Sequence, residues 1–433
     1  MRITSTGRHR TIAGLALAAT AALALSACSV TGAGGSSGSE GDGTGTINAL
    51  FMKQAGYSES DINTMIKDFE AKNPKITVKP TFVAYEALHD KIVTSAPAGT
   101  YDIVYSDVIW PAEFASKGII TDVTKRFPES WKKDMLGGAL TSAEYKGKYY
   151  GVPWGPSTKL FFYNKDMLAK VGATADDVKT WDGVLAVAKK LKDAGVVQYP
   201  LAWSWAQAEA LICDYAVMLG AYGGQFTDSS GKLDINKGAG VQALEFMKKS
   251  IDDGLTDPAS TTFLEDDTDK SMAAGKTAME LNWESTFRDQ NDPSISKVVG
   301  QIAVTTPPAG PTGDNPGVNG SMALAIGAKS KHQAAAWKFI EYLTSEAVQD
   351  KYVKSSMTNW KASYTKPEIT QSNPEVFAAA GKTYDSMILR PPVANYNTVS
   401  QALQVEIQNA LLGKKSPQQA LDDAVKTANE SLG

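Results

Sequence analysis

Cysteine and histidine are scarce in this sequence, with two of the first and three of the second among 433 residues. His9 falls in an N-terminal processing segment, and His89 and His332 fall on helix-like stretches expected to be solvated. Neither a Ser-His-Asp triad nor a histidine-based zinc site is therefore expected. No G-x-S-x-G elbow is present. Ala274-Gly275-Lys276-Thr277 resembles the end of a phosphate loop, but Lys270 stands where that motif needs its first glycine. Basic blocks are missing too, and the formal charge is −4. Nucleic acid is therefore not expected as a partner. Carboxylates are plentiful, and two suffice for glycoside hydrolysis. However, no acid pair stands at a recognisable motif spacing. Glu265-Asp266-Asp267 reads as a solvated run at a helix start, where acids oppose the helix dipole; an all-oxygen calcium site is the alternative there. No metal and no cofactor is expected.

Long apolar runs are confined to the N-terminus. Arg2, Arg8 and Arg10 precede the Ala/Leu-rich segment 11–25, which is too short to span a bilayer as a mature helix. Leu25-Ser26-Ala27-Cys28 follows and looks like a bacterial lipobox, in which the cysteine is acylated and becomes the mature N-terminus. Residues 1–27 read as a lipoprotein signal peptide. Residues 28–45 read as a flexible tether, being rich in Gly, Ser, Thr and Asp. The expected location is the outer face of the cell membrane, on a lipid anchor. With Cys28 acylated, Cys213 has no disulfide partner, and its apolar neighbours Leu211, Ile212, Tyr215 and Met218 read as core.

The remaining chain is too long for one ordinary core, which predicts two lobes. Its pattern is strand, loop, helix, repeated. Segment 46–51 reads as a strand. Ile62, Met65, Ile66 and Phe69 then fall on one helical face that Pro74 ends. Strands are expected near Ile76 and at 101–105, with helices at 85–95 and 111–117. This is the order of a parallel α/β sheet, whose ligands bind at the carboxyl ends of strands. That rule selects the loops 53–57 and 106–110. A stiff aromatic corner, Pro153-Trp154-Gly155-Pro156-Ser157-Thr158, leads into a buried strand at 160–163 and reads as the first crossing between lobes. Pro307-Pro308 marks a second crossing. Later strands are expected at 199–203, 277–281, 298–304 and 322–326.

Aromatic and polar residues gather at these strand ends: Tyr57, Asp107, Trp110, Trp154, Trp203, Trp205, Trp283 and Glu284. Indole faces stack on sugar C–H surfaces, and sugar hydroxyls need paired donors and acceptors. A carbohydrate or polyol site is the expectation. If strands 199–203 and 277–281 lie in one parallel sheet, Trp283 forms a stacking platform with Trp203 or Trp205 nearby.

Several stretches resemble the extracellular solute-binding proteins of bacterial carbohydrate ABC importers, the group that includes maltose- and trehalose-binding proteins. They are Tyr101-Asp102-Ile103-Val104 with Asp107, Gly151-Val152-Pro153 through Tyr163-Asn164-Lys165, Thr180-Trp181-Asp182, and Ala335-Ala336-Trp337-Lys338-Phe339-Ile340. The resemblance implies a two-lobed periplasmic-binding-protein-like α/β fold with a ligand cleft between discontinuous lobes. One lobe would hold residues 46–154 and 305–344, the other 155–304 and 345–433. It further implies ligand contacts from Gln54 and Tyr57, Asp107, Trp154 with Ser157 and Thr158, the stretch from Trp203 and Trp205 to Gln207, and Asn282-Trp283-Glu284. Asn319, in Val318-Asn319-Gly320-Ser321, stands where the family often has a Gly-Gly-aromatic turn, and Arg390 where some members place a ligand contact. The implied protein is a monomer that hands its sugar to ABC permease subunits. A secreted carboxylate-based glycosidase, or a binder of a non-sugar solute such as a peptide or polyamine, are the alternatives.

Overall fold

The structure, a computed structural model, describes residues 41–53 and 56–432. The expected signal peptide, Cys28 and Gln54 lie outside the described residues.

Two mixed sheets organise the chain. The first contains β1 (Gly45–Met52), β2 (Ile76–Val83), β3 (Ile103–Asp107), β4 (Val152–Pro153) and β9 (Met322–Ile326), in the order β2-β1-β3-β9-β4. The second contains β5 (Lys159–Asn164), β6 (Leu201–Ala202), β7 (Met279–Trp283) and β8 (Ile302–Thr305), in the order β8-β5-β7-β6. β1 runs parallel to β2 and β3, whereas β9 is antiparallel to β3 and β4. β5 is antiparallel to β7 and β8, and β6 is parallel to β7.

The helices form where the apolar spacing demands them. In α1 (Glu59–Lys72) the buried residues are Ile62, Met65, Ile66 and Phe69, and a capping box between Ser58 and Asp61 starts the helix. α2 (Tyr85–Ser95) and α3 (Pro111–Ser116) also match the expected spans. Around the second sheet lie α4 (Trp181–Asp193), α5 (Glu209–Ala221), α6 (Ala239–Asp252) and α7 (Glu265–Ala273). The expected cap of α4 is present, with the Gly183 N–H donating to Thr180 Oγ1 at 3.1 Å. After α8 (Gln333–Thr344) the chain is shared between cores. Val348, Tyr352 and Trp360 pack against the first sheet's core. α9 (Tyr396–Leu411) and α10 (Pro417–Leu432) pack with the second.

Three chain segments pass side by side between the sheets. The first, 154–158, joins β4 to β5. The second, 317–321, leads into β9 and bonds to the first: the Gly320 N–H donates to Ser157 O and the Met322 N–H to Gly155 O. The third, near Ile388, donates its N–H to Gly317 O and accepts from the Asn319 N–H. Gly155 has φ of +94°, and a Cβ there would lie 2.6 Å from Tyr105 Oη. Only glycine fits so close a turn.

Some strand ends differ from the sequence reading. β7 runs to Trp283 rather than stopping at 281, and β8 begins at Ile302 rather than 298. β6 is two residues long instead of the expected 199–203.

Candidate functional site

A cavity of about 650 Å³ opens where the ends of β3 and β7 approach the crossing segments. From the β3 side come Asp107, Ile109 and Trp110, with Tyr85 and His89 from α2. Gly155, Ser157, Gly320 and Arg390 come from the crossings. From the β7 side come Asn282, Trp283 and Glu284, joined by Gln207, Glu209 and the start of α7.

An ionic chain joins the two sides. Asp107, the last residue of β3, accepts from Arg390 Nη2 at 3.1 Å through Oδ1 and from Tyr85 Oη at 2.7 Å through Oδ2. Arg390 reaches on with Nη1 to Glu209 Oε1 at 2.7 Å, and Nη2 also donates to the Asn319 carbonyl at 3.1 Å. Glu209 sits in the first turn of α5, where the helix dipole favours an acid, and accepts further from Tyr396 and Ser400. The Arg390 side chain is 1% exposed, so each of these bonds forms away from water.

Trp283 is held from three sides. The register pairs it with Lys159 across β5 and β7, and the Lys159 ammonium lies 5.3 Å from the indole centroid. Its Nε1 donates to Glu265 Oε1 at 3.3 Å. A Cβ on Gly320 would come within 2.4 Å of the ring, so the missing side chain leaves it room. Burial works against the Lys159 charge, but Asp214, 2.6 Å away, and Glu265 outweigh it and raise the lysine pKa. Lys159 is thus a permanent cation behind the indole.

Glu284 accepts through Oε2 from Ser157 Oγ at 3.0 Å and from the Thr158 N–H at 3.1 Å. Burial pushes its pKa up to about 7, the Thr158 N–H pulling the other way. Burial likewise raises Asp269, to about 7, and Asp266. At intermediate pH native Glu284 keeps a proton that the unfolded chain has lost. Stability is therefore expected to fall as pH rises from about 4.5 to 7 and to level off above that. For Glu284 alone the fall is of order 3 kcal/mol. Glu284→Gln should flatten the slope by that amount in urea unfolding at pH 5 and pH 8; an unchanged slope would contradict this assignment.

The structure gathers Asp107, Trp110, Ser157, Gln207, Asn282, Trp283, Glu284 and Arg390 at the cavity. Asn282, however, spends its side chain within the chain: Nδ2 donates to Glu265 O and Oδ1 accepts from the Trp283 N–H. The other expected contacts are displaced. Trp203 and Trp205 are buried in the second sheet's core, stacked on each other at 5.6 Å. β6 and β7 are indeed parallel, yet β6 ends at Ala202 and Trp203 turns inward, donating to Thr256 Oγ1. Trp154 and Tyr57 stack at 4.5 Å inside the first core. Thr158 offers its backbone to Glu284, and Asn319 Nδ2 bonds to Gly138 O and Thr141 Oγ1, away from the cavity lining.

Two stretches expected to be solvated face the cavity instead. His89 hydrogen-bonds Glu113 at 2.9 Å and packs beside Trp110. Burial would lower its pKa, but Glu113 and Asp90 outweigh this and raise it. The 265–267 run starts α7 as expected, with Glu265 turned to Trp283. Sequence reasoning also missed Asn397, Ser400, Gln401 and Gln404. They stand at i, i+3, i+4 and i+7 on α9, a polar stripe beside the buried Val399, Leu403 and Ile407. That period was available as a signal.

Two sheets, chain crossings between them and a polar cavity with an indole at their strand ends define the architecture of a solute-binding protein. The chain belongs to the bacterial extracellular solute-binding protein family, whose model matches residues 40–350. It is a solute-binding component of an ABC transporter and not an enzyme. MalE3 of T. maritima, solved with maltose, is 28% identical and superposes with a TM-score of 0.82, covering 89% of this chain and 99% of that one. A Thermotoga lettingae solute-binding protein solved with alpha-D-tagatose is 28% identical, with a TM-score of 0.79, 90% of this chain and 100% of that one being covered. The arabinooligosaccharide-binding protein of Bacillus subtilis is 25% identical over 310 residues, 69% of each chain.

Proposed function

We propose that this protein captures a sugar or polyol outside the membrane and delivers it to an ABC permease. The observation that carries the reading is Trp283, fixed beside Glu284 and Ser157 at the cavity: an apolar stacking face next to hydroxyl-binding groups. Relatives solved with maltose and alpha-D-tagatose support it. Asp107, Trp110, Ser157, Gln207, Trp283 and Glu284 are the proposed contacts. The division into lobes of residues 46–154 with 305–344 and of 155–304 with 345–433 belongs to the same reading. The crossing segments then act as the hinge, in a protein working as a monomer. The test is a thermal-shift screen of residues 46–433 with sugars and polyols, followed by mass spectrometry of the recovered ligand. A binder is stabilised and returns its sugar unchanged. Hydrolysed sugar, or stabilisation by peptides or polyamines alone, would overturn the proposal.

The lipid anchor is part of this proposal and rests on Leu25-Ser26-Ala27-Cys28 followed by the polar tether. No described helix is long and apolar enough to cross a membrane. A Cys28→Ser protein is expected to lose its acyl mass and to appear in the medium. Unchanged membrane association would refute the anchor.

A further inference from the structure

We propose that the preferred solute carries a basic amine, as an amino sugar does, with its ammonium group set against Glu284 beside the Trp283 ring. This rests on the sugar-binding reading and specifies its chemical class. The first observation is that the arginines lining the cavity are already paired, as is His89, with Glu113 and Asp90. Arg390 lies between Asp107 and Glu209. Arg288 pairs with Asp289 and donates to the Gly56 carbonyl, and Lys270 lies 3.8 Å from Asp267. Behind the indole, Lys159 is shared by Asp214 and Glu265. The carboxylates outnumber these cations, and Glu284, Asp266 and Asp269 have no lysine or arginine within ion-pair distance among the described residues.

The second observation is Glu284 itself. It is 5% exposed and lines the cavity, and both bonds it accepts from other residues, Ser157 and Thr158, go to Oε2. Among the described residues, no bond from another residue's side chain or backbone goes to its other oxygen. A neutral sugar that fills the cavity returns no charge to this buried carboxylate. An ammonium returns both charge and hydrogen bonds, in a setting where ion pairing is stronger than in water. The indole face adds attraction for a cation on the side away from Lys159.

The experiment is calorimetry with matched sugars: glucose, galactose and mannose against their 2-amino and 2-acetamido counterparts, with putrescine as a non-sugar amine. At least one amino sugar is expected to bind about tenfold or more tighter than both its neutral partners, as a charge-assisted bond in a dry site should give. Glu284→Gln should erase that advantage, and Asp269→Asn should reduce it if Glu284→Gln fails to fold. Neutral sugars binding as tightly as their amino counterparts, or no amino sugar binding, would overturn the inference while leaving the sugar reading to its own screen. Putrescine binding alone would overturn the sugar reading as well as the inference built on it.

Discussion

An Arg390→Ala protein is expected to lose about 3–5 kcal/mol of stability, because it leaves two buried carboxylates without their cation. Asp107 ends a strand of the first sheet, and Glu209 begins a helix packed on the second. One guanidinium holds both, with side chains 6% and 12% exposed. Lysine is a poor substitute, since a single ammonium cannot reproduce the fork that reaches Asp107, Glu209 and Asn319 O together. Urea unfolding measures the loss, and small-angle scattering without ligand measures whether the sheets stay approximated. A variant of wild-type stability and dimensions would show that Arg390 is no clasp. Asp107→Ala and Glu209→Ala with Arg390→Ala should be strongly non-additive, as members of one network are.

Trp283→Ala should weaken sugar binding by about 2–3 kcal/mol, roughly 30- to 150-fold, as the loss of a central aromatic contact does. The ring's surroundings are prepared in advance. Lys159 sits behind it, Glu265 fixes its Nε1, and Gly320 leaves it room. Little ordering then remains to oppose binding. Trp283→Phe keeps a face but drops the Nε1 bond, and should fall between the two. Closure responds as well, because a ligand favours the closed form only through contacts it makes to both sides. Calorimetry and scattering on a folded Trp283→Ala protein decide the matter: normal affinity and normal closure would remove the indole from the site.

Legibility in the sequence followed locality. α1 was readable from Ile62, Met65, Ile66 and Phe69, because burial on one helical face imposes its own period. The corner at 154–158 was readable from Pro and Gly punctuation, and it is a crossing. The aromatic strand ends were half readable. Trp110 and Trp283 reach the cavity, whereas Trp203 and Trp205 do not, since a strand of two residues carries no alternation that says which way its end will turn. His89 looked solvated because Glu113, which draws it down, lies 24 residues on. The Asp107–Arg390 bond spans 283 residues and has no local trace at all; only the family resemblance pointed to Arg390.

The third crossing also fixes when the molecule can first work. β9, which inserts between β3 and β4, is not synthesised until residue 326, and the arginine that ties the two sides arrives only at residue 390. The polar wall from α9 follows it. A growing chain therefore cannot complete its cleft during most of its synthesis, and pairings this distant in sequence form slowly. The same order makes the last turns of the chain a checkpoint. A product cut short after residue 385 keeps every strand of both sheets yet lacks Arg390 and the α9 and α10 residues of the second core, so it has neither the clasp nor the packing that a working cleft requires.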